Sequence, residues 1–280
     1  MRKVILIGLL LSFGILHSQN EKIKKINDTI TSLDEVIIKG NSILGNKFVA
    51  KNRTGAAYYL STDELAEFNY TDINRALNKI SGINFYEEDG FGLRPNISIR
   101  GTSPERSSKI AIMEDGILIG PAPYSAPAAY YFPMMSKMTS LEVFKGPAAI
   151  KYGPNTVAGA LNMTTRAVPN GQEGMIDVSA GADAYSKVHG YYGDTIGELG
   201  VLIEAINMQS DGFKDLDGGG YTLYGKGDGN TGFDKNDIMA NFRYDLTTGN
   251  VDHTFGLKIS YADEQSNETY LGLTDDDFYA

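Results

Sequence analysis

The sequence predicts an α+β domain followed by the first strands of an antiparallel transmembrane β-barrel. Three observations predict it. The chain opens on an export signal, its first half mixes short helical and strand patterns, and after Pro169 it changes to long alternating segments. Composition points the same way. The 280 residues include 32 Gly and 17 Tyr but no Cys and no Trp, a mixture that suits strands and turns. Without Cys there is no disulfide framework, thiolate metal site or Cys nucleophile. The three His are scattered, and a net charge of −10 argues against nucleic acid as a partner.

Arg2 and Lys3 precede an apolar run from Val4 to Leu16, then His17, Ser18 and polar Gln19. This is the layout of a cleaved secretory signal, residues 1–18, and the run is too short to span a bilayer. An exported chain with no longer apolar run enters a membrane only as a barrel. Residues 19–33 read as a flexible polar leader, and Asp34–Gly40 (DEVIIKG) is an isolated β-prone burst.

Ser61 with Glu64 three residues on predicts a capping box and a helix to about Phe68. Thr71 and Asp72 open a second helix with Ile73, Leu77 and Ile80 on one face, ended by Gly82. Strands are expected at Ile83–Tyr86, Asn96–Arg100, Ile110–Met113 and Ile117–Ile119, the last two joined at Glu114-Asp115-Gly116. Gly120–Pro133 is aperiodic and reads as a loop. Ser140–Phe144 and Ala160–Thr165 flank the Gly- and Pro-containing stretch Lys145–Gly159. The domain is expected to span residues 45–168.

Residues 174–280 carry the barrel pattern. Met175–Ala182, Ile238–Leu246 and Val251–Ala262 alternate apolar and polar residues, the signature of membrane strands. Val188–Gly193 and Val201–Gln209 are less regular, and Glu204 interrupts the second. Connections near Asp183, at Asp194–Leu199 and at Thr247–Asn250 are short, whereas Ser210–Lys235 is long. That parity fits a barrel with long outer loops and short periplasmic turns.

Other motifs carry little. Gly220–Lys226 has P-loop spacing, but Gly227 replaces the metal-binding hydroxyl; Gly227–Gly232 matches the dinucleotide fingerprint. Neither sits between a buried strand and a helix, as phosphate binding requires. Asp211, Asp215, Asp217 and Asp228 have no calcium-loop spacing. No nucleophile–base arrangement is apparent, so no enzyme, cofactor or resident metal is expected.

LRPNISIRG at Leu93–Gly101, MEDG at Met113–Gly116, LEVFKGP at Leu141–Pro147, YGP at Tyr152–Pro154 and GALN at Gly159–Asn162 occur in that order. The series resembles the plug domain of TonB-dependent outer-membrane receptors. The loop Pro121–Pro127 and Ser266–Thr274 are most similar to the ferric-citrate branch. The resemblance implies a plug (45–168) inside a barrel of about 22 strands, of which about five are present, so the chain is expected to be an N-terminal piece. It also implies a TonB box at Asp34–Gly40, with Asp34, Glu35, Val36, Ile37 and Ile38 as the TonB-binding residues.

The implied function is TonB-dependent import of an iron chelate, ferric citrate or a related siderophore, across the outer membrane of a Gram-negative bacterium. Partners are TonB, the chelate and outer-membrane lipid; the ferric chelate is cargo, not cofactor. Signalling members of the branch carry a further N-terminal domain. Only about fifteen residues separate signal from box here, so no transcriptional role is expected. The apical plug loops are expected at Glu87–Leu93 and Pro121–Pro127, giving Glu88, Asp89, Arg94, Tyr124 and Ser125 as ligand-binding candidates. Arg100 and Lys145, where the family holds basic residues, are expected to pair with barrel acids, Glu204 among them. Alternatives are a non-transporting adhesion or binding module and a SusC-type glycan importer.

Overall fold

The computed structural model describes residues 42–67, 69–119, 128, 131–214, 221–222, 225–226 and 231–267. The signal, Asp34–Gly40, Tyr124 and Ser125 lie outside them. Helix α1 (Lys47–Asn52) is capped by Asn46, whose side chain accepts from the Val49 amide, and strand β1 (Ala56–Leu60) follows. Neither was visible in the sequence pattern, because β1 carries no alternation and α1 spans barely two turns. The Ser61–Glu64 capping box forms as expected and opens α2 (Thr62–Ala66). Asp72 caps α3 (Ile73–Leu77) by accepting from the Asn74 amide.

Strands β2 (Ile83–Tyr86) and β3 (Asn96–Ile99) pair as an antiparallel ribbon. The strand ends at Ile99, one residue before the expected end, because Arg100 turns out of it with φ 57°. Strands β4 (Ile110–Glu114), β5 (Ile117–Leu118), β6 (Met138–Lys145) and β7 (Gly159–Thr165) join β1 in a sheet of order β1-β6-β7-β4-β5. The β4–β7 pair is parallel and the others antiparallel. Asp115 and Gly116 turn β4 into β5 with φ of 52° and 79°, as a tight hairpin demands. The Gly- and Pro-containing stretch Lys145–Gly159 includes a 3-10 helix at Gly146–Tyr152. At Gly159 a Cβ would lie 2.2 Å from the Phe144 carbonyl oxygen, so only glycine lets β7 approach β6 there.

Alternation along the sheet separates two cores. Ile110, Ile112, Leu141, Val143, Leu161 and Met163 pack with Ile73, Leu77 and Ile80 on one face. Ala111, Met113, Phe144 and Ala160 pack with Leu44 and Ala50 on the other. Each large side chain so buried is worth about 1.5–3 kcal/mol over exposure.

After Pro169 the chain forms one antiparallel sheet, β8 (Glu173–Ala180), β9 (Ser186–Ile196), β10 (Leu199–Ser210), β13 (Phe233–Thr248) and β14 (Val251–Ser266), in chain order. Within Ser210–Lys235, β11 (Tyr221–Thr222) and β12 (Gly225–Lys226) pair antiparallel. The described residues of the P-loop-like run therefore stand in paired strands. Ile176, Val178, Ile203, Ile238, Phe255, Leu257, Ile259 and Tyr261 are exposed on one face of the large sheet. Lys187, His189, Leu202, Glu204, Lys235 and Asp237 are buried on the other. Glu204 does not interrupt β10: it occupies an inward position facing polar groups. No helix among the described residues is long and apolar enough to cross a membrane; the alternating strands present the apolar band instead.

Candidate functional site

The buried face of the large sheet meets the α+β domain through charges. Lys137, 1% exposed, precedes β6 and donates to Asp237 on β13 at 2.7 Å, with Glu114 at 3.5 Å. Burial would lower the Lys137 ammonium pKa, but Glu114, Tyr131 and Asp237 outweigh it and hold it above the ordinary lysine value. Burial raises neighbouring Tyr131 to about 12. Lys258 on β14 lies 2.6 Å from both Glu114 and Asp115. Glu264, also on β14, takes Arg94 and Lys235 at 2.7 Å each, and Lys235 donates to the Phe132 carbonyl at 2.7 Å.

Glu204 lies 2.7 Å from His189 Nε2 on the adjacent strand and 3.8 Å from Arg166 Nε. Arg166 stacks 3.7 Å over the Tyr191 ring. His189 and Arg166 border a cavity of about 280 Å³ between domain and sheet, which Asn69, Lys79 and Asp177 also line. The Lys145 ammonium donates to the Ser81 carbonyl at 2.6 Å, and burial together with the Arg100 charge lowers its pKa. The Arg100 guanidinium lies over Gly146, where a Cβ would come within 3.2 Å of its Nη1. Among the described residues, ion pairs that cross to the strands are carried by Lys137, Glu114, Asp115, Arg94 and Arg166. Being long-range, those pairings leave no spacing signal in the sequence.

At the end bearing the long connection, the loop around Glu87–Leu93 packs beside Phe213 and Phe233. The Phe91 ring lies 5.7 Å from Phe213 and 4.8 Å from Phe233, and Lys214 donates to the Glu88 carbonyl at 3.3 Å. The Asp89 carboxylate accepts from the amides of Phe91, Gly92, Leu93 and Arg94, so it shapes the loop from within. Arg75 pairs with Glu87 at 3.1 Å. Two of the loop's three acids are therefore engaged inside the domain, and Arg94 is engaged with Glu264.

Beneath this loop sits Asp72. Burial, with Glu87 and Asp89 nearby, raises its pKa from 3.8 to about 6 despite the Asn74 amide bond. The folded domain thus holds this proton more tightly than the unfolded chain does. Asp72 accordingly favours folding below about pH 4, and that contribution is lost as pH rises toward 6. Asp72→Asn keeps the cap without the charge. It is expected to stabilise by on the order of 1–3 kcal/mol at pH 7.5 and to do nothing at pH 4. Denaturant titrations at both pH values check this; destabilisation at both would refute it.

Residues 50–160 match the family model described as TonB-dependent Receptor Plug Domain. Among solved structures, the unliganded ferric citrate transporter FecA aligns with 84% of this chain and 35% of its own, at 23% identity and TM-score 0.65. The ferric yersiniabactin uptake receptor FyuA from Yersinia pestis aligns with 78% of this chain and 33% of its own, at 17% identity and TM-score 0.63. A curated relative, the vitamin B12 transporter BtuB of Vibrio vulnificus, is 24% identical over 130 residues, 46% of this chain and 21% of that protein. At these identities the likeness establishes the fold. The chain spans about a third of the solved neighbours and a fifth of that relative.

Proposed function

From a chain whose residues 50–160 match the TonB-dependent receptor plug domain, with antiparallel strands behind it that resemble the start of such a receptor's barrel, we propose an outer-membrane receptor that actively imports an iron chelate. One observation carries the reading. The plug is held to the inward strand face by buried and half-buried ion pairs, Lys137–Asp237 and Lys258 with Glu114 and Asp115. A pore closed by such contacts opens only when work is done on the plug, and the outer membrane holds no ion gradient to supply it. The family's supply is TonB, and Asp34–Ile38 is the segment suited to receive it by strand addition.

The neighbours' names, ferric citrate and ferric yersiniabactin, support the cargo class, as do the loop electrostatics. With Asp89 turned onto its own loop amides and Glu87 on Arg75, an anionic chelate meets less opposing charge than the sequence suggests. Glu88, Arg94, Tyr124 and Ser125 remain the proposed ligand contacts. A cobalamin cargo is the second reading, favoured by the BtuB relative.

Calorimetric titration of the intact receptor with ferric citrate, a catecholate chelate, a hydroxamate chelate and cyanocobalamin tests the cargo. Tightest binding is expected for ferric citrate. A tighter competitor replaces that assignment, and growth on ferric citrate without any need for TonB refutes active import.

A further inference from the structure

Glu142 is a carboxylate with no exposed surface, on β6, an inner strand of the plug sheet. Its Oε1 accepts from Ser42 Oγ at 2.6 Å, the Leu44 amide at 2.7 Å and the Gly45 amide at 3.2 Å. Its Oε2 accepts from the Ile43 amide at 2.9 Å and from Asn162 Nδ2 at 2.8 Å. Successive backbone N–H groups converging on an anion form a nest, and each bond to a charged acceptor is about twice as strong as a neutral one. A buried carboxylate left without donors is costly, so segment 42–45 is what makes Glu142 tolerable in the core. Leu44, also buried, packs on the same face of the sheet.

The bonds continue beyond Glu142. Asn162 Oδ1 accepts from the Gly116 amide at 2.8 Å. Asp115, next in the turn, accepts from the Thr165 amide at 2.8 Å and from Lys258 on β14 at 2.6 Å. A run of polar contacts therefore leads from residue 42 across β6 and β7 to the strand wall. Only one residue separates Ser42 from the end of Asp34–Gly40.

We propose that Glu142 is the positioning residue of energy coupling: it latches segment 42–45 to the plug sheet and, through Asn162 and the 114–116 turn, ties it to Lys258 on the barrel wall. The inference rests on reading Asp34–Gly40 as the TonB-binding segment. A pull on that segment loads the bonds to Glu142 before any strand of the sheet, so the latch decides where the plug first yields. Glu142→Gln keeps the size but presents an amide N–H₂ where an oxygen accepted backbone donors, so some of the nest must open.

Hydrogen exchange on the intact receptor in detergent micelles tests the latch. In Glu142→Gln the amides of Ile43, Leu44 and Gly45 are expected to exchange ~10-fold faster or more, with α3 unchanged as the folding control. Ser42→Ala removes one donor without touching the core. It carries the test if Glu142→Gln does not fold, with a few-fold acceleration expected. Asn162→Ala should speed exchange at Gly116. Unchanged exchange at 43–45 in each folded variant of Glu142 and Ser42 overturns the latch. For the coupling role, binding of ferric citrate and of cyanocobalamin should stay within about twofold in Glu142→Gln while TonB-driven uptake of whichever binds falls ~10-fold. Wild-type uptake in that variant overturns the role. Exchange reports the latch even if Val36 and Ile37 prove dispensable, which separates this inference from the reading beneath it.

Discussion

Proline at Val36 or Ile37 in the intact receptor is expected to abolish energised uptake, by ~100-fold or more, while chelate binding stays unchanged. The argument is local. A strand added to a partner is held by main-chain hydrogen bonds, and proline removes the N–H and fixes φ near −65°. Val36, Ile37 and Ile38 form the apolar, β-branched stretch of the segment, and β-branched residues suit an extended partner strand. The segment lies ahead of the nest that holds residues 42–45, so the plug sheet and the apical loop keep their own contacts. Proline at Thr29, within the polar leader, is the control and should transport normally. Radiolabelled iron uptake set beside equilibrium binding reads the separation. Undiminished uptake in Val36→Pro and Ile37→Pro removes the assignment of Asp34–Ile38 as the TonB-binding segment.

Lys137→Met is expected to cost 3–5 kcal/mol in stability, because it strands Asp237 without its cation. Both side chains are almost wholly buried, at 1% and 3% exposure, and removing one partner of such a pair leaves an uncompensated charge in a poor dielectric. Glu114, 3.5 Å from the same ammonium, loses a partner too, although Lys258 still holds it. Asp237→Leu alone leaves the cation facing Glu114, a milder loss. The double variant Lys137→Met with Asp237→Leu is expected to recover most of the stability, since an apolar pair of similar volume avoids desolvating either charge. A double-mutant cycle from denaturant unfolding in micelles measures the coupling, expected at about 2 kcal/mol or more. Coupling below about 0.5 kcal/mol would mean that this pair does not hold plug to strand.

Much of the architecture was legible along the chain because its determinants are local. The Ser61–Glu64 box and the Asp72 cap are decided within four residues. The turn at Asp115–Gly116 needs positive φ that those residue types accept. The order of motifs from Leu93 to Asn162 was enough to indicate the plug, and residues 50–160 match that family. The strands of irregular pattern, β9 and β10, were harder to read for a physical reason. Their inward positions face a folded domain rather than water, so they carry Glu204 and His189 beside Leu202 and Ile206.

What the sequence determined alone was the change of period after Pro169 and the outward face of β14, Val251 to Tyr261 on odd positions. A strand's side-chain period is two whatever lies beside it, so a run of alternating residues declares its faces. Only the tertiary structure decided which charges meet. Lys137 and Asp237 are 100 residues apart, Lys258 and Asp115 143, and Ser42 and Glu142 100. Lys145, a cation that the motifs singled out, donates within its own domain, while Lys137, which no motif marks, reaches the strand. Ion pairing is chosen by distance and desolvation after the backbone has folded, and neither quantity is encoded in spacing along the chain.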